Sequence, residues 1–542
     1  MIYFKEKKRP LILAIAQWLV TTALQVDRAF FTYEHETIYF WLTKFFYLCF
    51  LCVAWTFAFK AYSEIKNSNK EWKRGAAFFC VYFSIMMLFL LIVWPGTWAY
   101  DDLWTLVGIS SYTMWNPWQH ILSGAYQSVL LQILPFPGGI IFLQNVIVSL
   151  CVAFTVVKLE QVLKLPIIRN KVIDIGIKLF PFLLPPVIMY QFSGYRIGLY
   201  VYLELTMIVI LTDVKISGRK WNWDYLLLFV FLCAVVSTWR TESFVYVPVI
   251  SILLCSLPKT VLAYRRKVIS IGLILIGFMG IGRFQKWALG DANYEVMSLM
   301  RPCAELVRNA DPIADADSLR AIDKVADVKV IMDSPWANGE SLYWSTPCIR
   351  NRNADPSDDY TSDDYKSFQK AVMQLALKYP TVVAAERFNL FIDGSGINGR
   401  STANVDYTSR LYDPDTGNEA ARNVLEKGWF ASYPAFKDFR KVFIRTFGMI
   451  NGDSGLIRAL RRVVWNAIIP ELILFYAWVK ACCKKKWYFA GILTAILAKL
   501  AIIVLTQPSD WFMYVLSFYL LGYVAAVFGG LSYYEKLQKS LT

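Results

Sequence analysis

Long apolar runs recur along the chain, separated by short polar links. Runs of membrane-spanning length, roughly 17–25 residues, lie near 10–26, 38–59, 76–94, 138–157, 172–191, 197–213, 224–239, 243–258, 267–284, 463–481, 488–506 and 511–531. This pattern predicts an all-α polytopic membrane protein with about twelve transmembrane helices. The two runs within 224–258 are the shortest. One long polar stretch, 286–462, interrupts the series and predicts a mostly helical inserted domain. Within it, Tyr365 to Tyr379 looks helical, with apolar residues at Phe368, Val372, Leu375 and Leu377, and stops before Pro380. Ser395 to Gly399 and Asp413 to Gly417 read as turns. The chain therefore divides into a two-span hairpin (1–75), a transmembrane module (76–285), the insertion (286–462) and three final spans (463–542).

The most unusual stretch follows the third run: Trp94-Pro95-Gly96-Thr97-Trp98-Ala99-Tyr100-Asp101-Asp102. Pro95 and Gly96 stop the preceding helix. The aromatic residues suit a membrane interface. Two adjacent carboxylates at that depth are costly unless hydrated, paired or used. The rest of the loop, to Pro137, is too polar for a span and predicts two amphipathic helices along the interface.

Charge orients the series. With the N-terminus in the cytoplasm, the cytoplasmic links hold most of the Lys and Arg. The opposite links hold single arginines, Arg28, Arg196 and Arg240, or none. The termini are thus expected inside, and the acid pair and the insertion outside, the cytoplasmic membrane. The net charge of +15 is then loop charge, and no nucleic-acid partner is implied. Lys5, Lys7, Lys8 and Arg9 precede an apolar run with no small-residue cleavage site before Asp27, so a retained span is expected there, not a signal peptide. With 56% hydrophobic and 18% charged residues, the composition is far from the roughly 25% charge of soluble domains. The ten cysteines are mostly single residues in apolar runs, and two histidines give no zinc spacing. Cys303 and Cys348 share the insertion, where a disulfide and two free thiols are both open. Cys482 and Cys483 are expected to be unpaired.

The external span ends collect cations and carboxylates: Asp101, Asp102, Arg196, Arg240, Glu242, Arg283 and Lys286. Arginines bind phosphate in bidentate fashion, and a hydroxyl nucleophile needs a carboxylate base. This set suits group transfer from a lipid-linked phosphate. Each member also has a plainer reading. Asp101 and Asp102 serve equally as a helix N-cap and its N1 neighbour. Arg196 and Arg240 can snorkel at helix ends, and Glu242 can neutralise Arg240. His120 either packs at the interface or carries a proton or contacts phosphate. The acidic cluster Asp358, Asp359, Asp363 and Asp364 lacks the Gly and terminal Glu of an EF-hand loop and reads as solvated.

Taken together, these residues resemble the GT-C superfamily of multi-pass membrane glycosyltransferases, and most closely a bacterial branch of it. Pro95 to Asp102 resembles the acid-bearing start of that superfamily's first external loop, and Asn116-Pro117-Trp118-Gln119-His120 a degraded form of its His-Pro element. The likeness spans about residues 76–450 as architecture. Two features depart from it: the Pro lies three residues before His120, and two extra spans precede the module. The resemblance implies a sugar donor on a polyprenyl phosphate and a glycan, lipid or protein acceptor of the cell envelope. It implies Asp101 or Asp102 as base or metal ligand, and Arg196, Arg240, His120 and Arg283 around the donor phosphate. Some members need no metal; where one is used, oxygen ligands favour magnesium or manganese. A lipid-linked glycan transporter and a non-catalytic envelope assembly protein are the competing expectations. The scarcity of charges inside the spans speaks against transport.

Overall fold

The computed structural model describes residues 2–115, 120–289, 295–350, 360–399, 423–424, 426–427, 434–449 and 455–541. The described residues are helical, with no strand beyond one isolated bridge between Ala326 and Ile349. In chain order the helices that matter here begin with α1 (Ile2–Ala23), α2 (Ile38–Lys66) and α3 (Lys70–Val93). The first loop forms α4 (Tyr100–Ile109) and α5 (Ile121–Leu131). Then come α6 (Pro137–Leu163), α7 (Lys171–Leu179), α8 (Pro185–Gln191), α9 (Ile197–Ser217), α10 (Trp223–Trp239), α11 (Tyr246–Ser256) and α12 (Tyr264–Leu289). The insertion supplies α13 (Glu295–Asn309), α14 (Ala316–Asp323), α15 (Val328–Asp333), α16 (Gly339–Ser345), α17 (Ser362–Lys378), α18 (Pro380–Gly394), α19 (Lys437–Gly448) and α20 (Gly455–Val464). The chain closes with α21 (Ile468–Cys483), α22 (Trp487–Thr506) and α23 (Leu516–Leu541).

The starts and stops follow local chemistry. Asn69 caps α3 by accepting from Glu71 N at 3.0 Å, and Thr37 caps α2 from Phe40 N. Prolines open α6, α8 and α18. Gly218 ends α9 in the left-handed region.

Among the described residues, eight helices are long and apolar enough to cross a membrane. The chain is a helical, multi-pass membrane protein on that ground. Four of the twelve expected spans differ. The run 172–191 is bent by 67° between Leu183 and Pro185, where the prolines at 181, 185 and 186 cannot continue a helix. The runs within 224–258 form two short helices. At 1.5 Å per residue, a helix the length of α10 reaches only about 26 Å, below the roughly 30 Å hydrocarbon core. The first run lies in α1, whose early turns hold Lys5, Lys7, Lys8 and Arg9.

The first loop also differs from expectation. Its two helices are present, but α5 is no surface helix: nine of its eleven residues are buried. It packs against α2, α4 and α6. The N-terminal hairpin supplies that cover. Lys44 on α2 pairs with Asp27 at 3.0 Å and donates to Gln132 just beyond α5 at 2.8 Å. Thr32 N donates to Ser110 O at 2.8 Å. Helix α2 and the link before it thus brace the acid-bearing loop.

The insertion has two parts. Residues of α13 to α17 close a small core of their own, with Cys303 and Cys348 buried in it and not bonded. Asp363 and Asp364 lie in the first turn of α17, where Asp364 accepts from Thr361, so they cap a helix. Asp358, Asp359 and the Asp413–Gly417 turn lie outside the described residues. From α18 onward the insertion docks on the bundle: Arg387 donates to Gln507 O at 2.8 Å, and Phe443 on α19 meets Phe89 on α3.

Candidate active site

Ala99 caps α4, so Asp101 and Asp102 fall at its second and third positions, not at the cap and first. Carboxylates in a first turn face the positive end of the helix dipole. Ala99 has no side-chain acceptor, and Asp102 supplies one by folding back: its Oδ2 accepts from Ala99 N at 3.1 Å and from Ser193 Oγ at 2.9 Å. Asp102 is 1% exposed, and its Oδ1 is buried with no hydrogen-bond partner. Burial pushes its carboxyl up to about 8, aided by the charge of Asp101 and opposed by the Ala99 and Ser193 hydrogen bonds. Asp101, one residue earlier, is exposed. Its Oδ2 accepts the Tyr195 hydroxyl at 3.2 Å. Burial and then the two acids hold the Tyr195 phenol well above its ordinary range, so it stays a donor.

The link Ser193–Arg196 presses closely on this loop. A Cβ on Gly194 would come within 2.3 Å of the Trp98 ring and 3.0 Å of the Asp102 Cβ. Thr97 N donates to Phe192 O at 2.8 Å, and Gly96, at φ +120°, sits against that same carbonyl. Gln127 on α5 donates to Gly194 O at 3.1 Å. Arg440 on α19 donates to Gly96 O at 2.9 Å. Two loops, one first-loop helix and the insertion therefore converge on the acid pair.

Arg196 opens α9 next to Tyr195 and is half-buried. Its charge bears on His120 and on Tyr514. The Arg240 guanidinium lies over the same Tyr514 ring, 5.3 Å from its centroid, and its Nε donates to Glu242. Glu242 therefore pairs with Arg240 through the guanidinium Nε, and Tyr514 lies beneath Arg240. His120 caps α5, with Nδ1 accepting from Leu122 N at 3.3 Å. Burial, then the Arg196 charge, pushes its imidazole down to about 3, which keeps it neutral. Arg283 is exposed on α12 and makes no hydrogen bond or ion pair among the described residues. Residues Asn116 to Gln119 of the expected His-Pro-like element lie outside the described residues.

The chain matches no family model, no curated protein and no solved structure.

The two acids do not form a chelate. Asp101 turns to Tyr195 and Asp102 to Ala99 and Ser193. No group of three or more His, Cys, Asp or Glu that could hold a metal occurs among the described residues. A magnesium or manganese ion here would rest on the exposed Asp101 and take its other ligands from phosphate and water.

Several participants escaped the sequence reading. Ser193, Tyr195 and Tyr514 carry no pattern of their own. Glu340 of α16 accepts from Trp511 at 3.4 Å, and burial raises its carboxyl. Glu204 and Lys499 were legible: each is a charged residue within an apolar stretch of its helix. They pair at 2.7 Å, which weakens the expectation that the spans hold few charges.

Proposed function

We propose that the protein is a membrane glycosyltransferase. It moves a sugar from a polyprenyl-phosphate carrier to an envelope acceptor on the extracytoplasmic face of the cytoplasmic membrane. The observation that carries this reading is the exposed Asp101 beside a buried, loop-locked Asp102, with Arg196 on the link that packs against them, while Arg240 ends α10 over the Tyr514 ring. The asymmetry of Lys and Arg across the links supports the orientation, and the GT-C resemblance supports the donor class.

In this mechanism an acceptor hydroxyl attacks the anomeric carbon. The bond from that carbon to the phosphate oxygen breaks, and polyprenyl phosphate leaves. Asp101 takes the hydroxyl proton, and Tyr195 holds its carboxylate in place. Arg196 and Arg240 carry the charge of the leaving phosphate. Asp102 does not meet substrate; it fastens α4 to the Ser193 link. His120, neutral, caps α5 and lines the Arg196 side.

Incubation of purified protein with a panel of polyprenyl-phosphate-linked hexoses tests this. Wild type should release polyprenyl phosphate, and Asp101→Asn should not. Equal release by wild type, Asp101→Asn and Asp102→Asn would sink the proposal. The buried Glu204–Lys499 pair favours a second reading, transport of a lipid-linked glycan. Movement of such a lipid across vesicles without any glycosyl transfer would select it.

A further inference from the structure

Glu204 on α9 and Lys499 on α22 are each 1% exposed, inside the bundle. Lys499 Nζ also donates to Tyr200 Oη at 3.0 Å and to Ser517 Oγ at 3.3 Å. Ser517 Oγ donates to Glu204 Oε2 at 2.6 Å. A pair that only tied helices together would end there. Two further bonds lead out of it toward a single place. The Tyr200 and Ser243 hydroxyls share a hydrogen bond of 2.6 Å, and the Tyr246 hydroxyl donates to Glu204 Oε1. Ser243 and Tyr246 bracket the end of the 3-10 turn Thr241–Val245. That turn carries Glu242, the partner of Arg240, and Ser243 N closes it by donating to Arg240 O at 2.9 Å. One buried ion pair therefore pins, through two tyrosines, the turn that aims Arg240.

We propose that Glu204 and Lys499 are positioning residues for Arg240. They set the affinity of the site for the phosphate headgroup of the lipid donor, not the rate of transfer. This rests on the donor role given to Arg240 above. It also assigns work to the spans after the insertion, since Lys499 lies on α22. Removing both charges together avoids stranding one in the interior.

The test measures binding of undecaprenyl phosphate to the full-length protein in detergent, with the release assay alongside. Glu204→Gln with Lys499→Met should keep a Tm near wild type. It should bind the lipid roughly tenfold more weakly, with kcat at saturating donor within about threefold of wild type. Tyr200→Phe, which keeps the ion pair, should weaken binding by a smaller factor with kcat unchanged. Should the double variant fail to fold, Tyr200→Phe alone decides: wild-type affinity overturns the proposal. Arg240→Ala separates the two levels. If it binds as tightly as wild type, the donor reading of Arg240 fails and the positioning role with it. If it loses binding while the folded double variant does not, only the positioning role fails.

Discussion

The two ends of α3 meet charge in different ways. At its start, Arg74 meets Glu160 at 2.8 Å and also Asp174, while Lys178 meets Glu160 and Asp174 at 2.7 Å each. Two cations and two anions close a square in which each member touches both opposites. Beyond its other end lies the acid pair, where Asp101 is exposed and Asp102 keeps one carboxyl oxygen buried without a partner. Buried charge is tolerated when every valence is met. An incompletely met set is a cost that folding alone does not explain. The first end is closed, and the second leaves the exposed acid that the proposed chemistry needs.

Four substitutions test that contrast. The largest effect is expected from Asp101→Asn. Loss of a general base removes about 10²- to 10⁴-fold in rate, so release of polyprenyl phosphate should fall by that order with an unchanged Tm. A variant that lost stability instead would make this end structural too. Next is Asp174→Asn at the closed end. Breaking one partner of a buried network costs about 3–5 kcal/mol, seen as a large drop in Tm with activity per folded molecule retained. Lost activity in folded protein would mean the two ends are coupled.

Gly194→Ala should be smaller. Its methyl would enter the Trp98 ring, and overpacking costs about 1–3 kcal/mol, with activity falling as the Ser193 link shifts from Asp102. Wild-type Tm and rate would show that the link is looser than its contacts imply. The smallest is Asp102→Asn, read as pH dependence. The folded carboxyl titrates near 8 against an ordinary value of 3.8, so folding favours the neutral form. That contribution is full below about pH 4 and is lost as pH climbs toward about 8. Wild-type Tm should decline relative to Asp102→Asn across that window. Parallel curves would mean that Asp102 is ionised at neutral pH.

The brace under the acid pair gives the N-terminal hairpin a place in the fold. Helix α2 covers α5, and Lys44 ties it to Asp27 and to Gln132 just beyond α5. This makes α5 a core helix where an interfacial one was expected. A local pattern of Ser, Gln and Tyr among apolar residues is the same in both settings; what differs is whether α2 covers it.

Sequence alone determined the helical membrane class, the long insertion and the place of the acid pair after α3. Hydrophobic runs and Pro-Gly breaks act over a few residues and need no partner to be read. It also marked Arg196 and Arg240 at helix ends. Tertiary structure decided which acid is exposed, because that depends on Ser193, Gly194 and Trp98 meeting α4 from distant positions. It set Arg283 apart and laid Arg240 over Tyr514, a residue more than 270 positions further along the chain. It turned two charges, Glu204 and Lys499, into one pair across 295 residues of chain. Such contacts are fixed by how helices pack, and no local spacing encodes them.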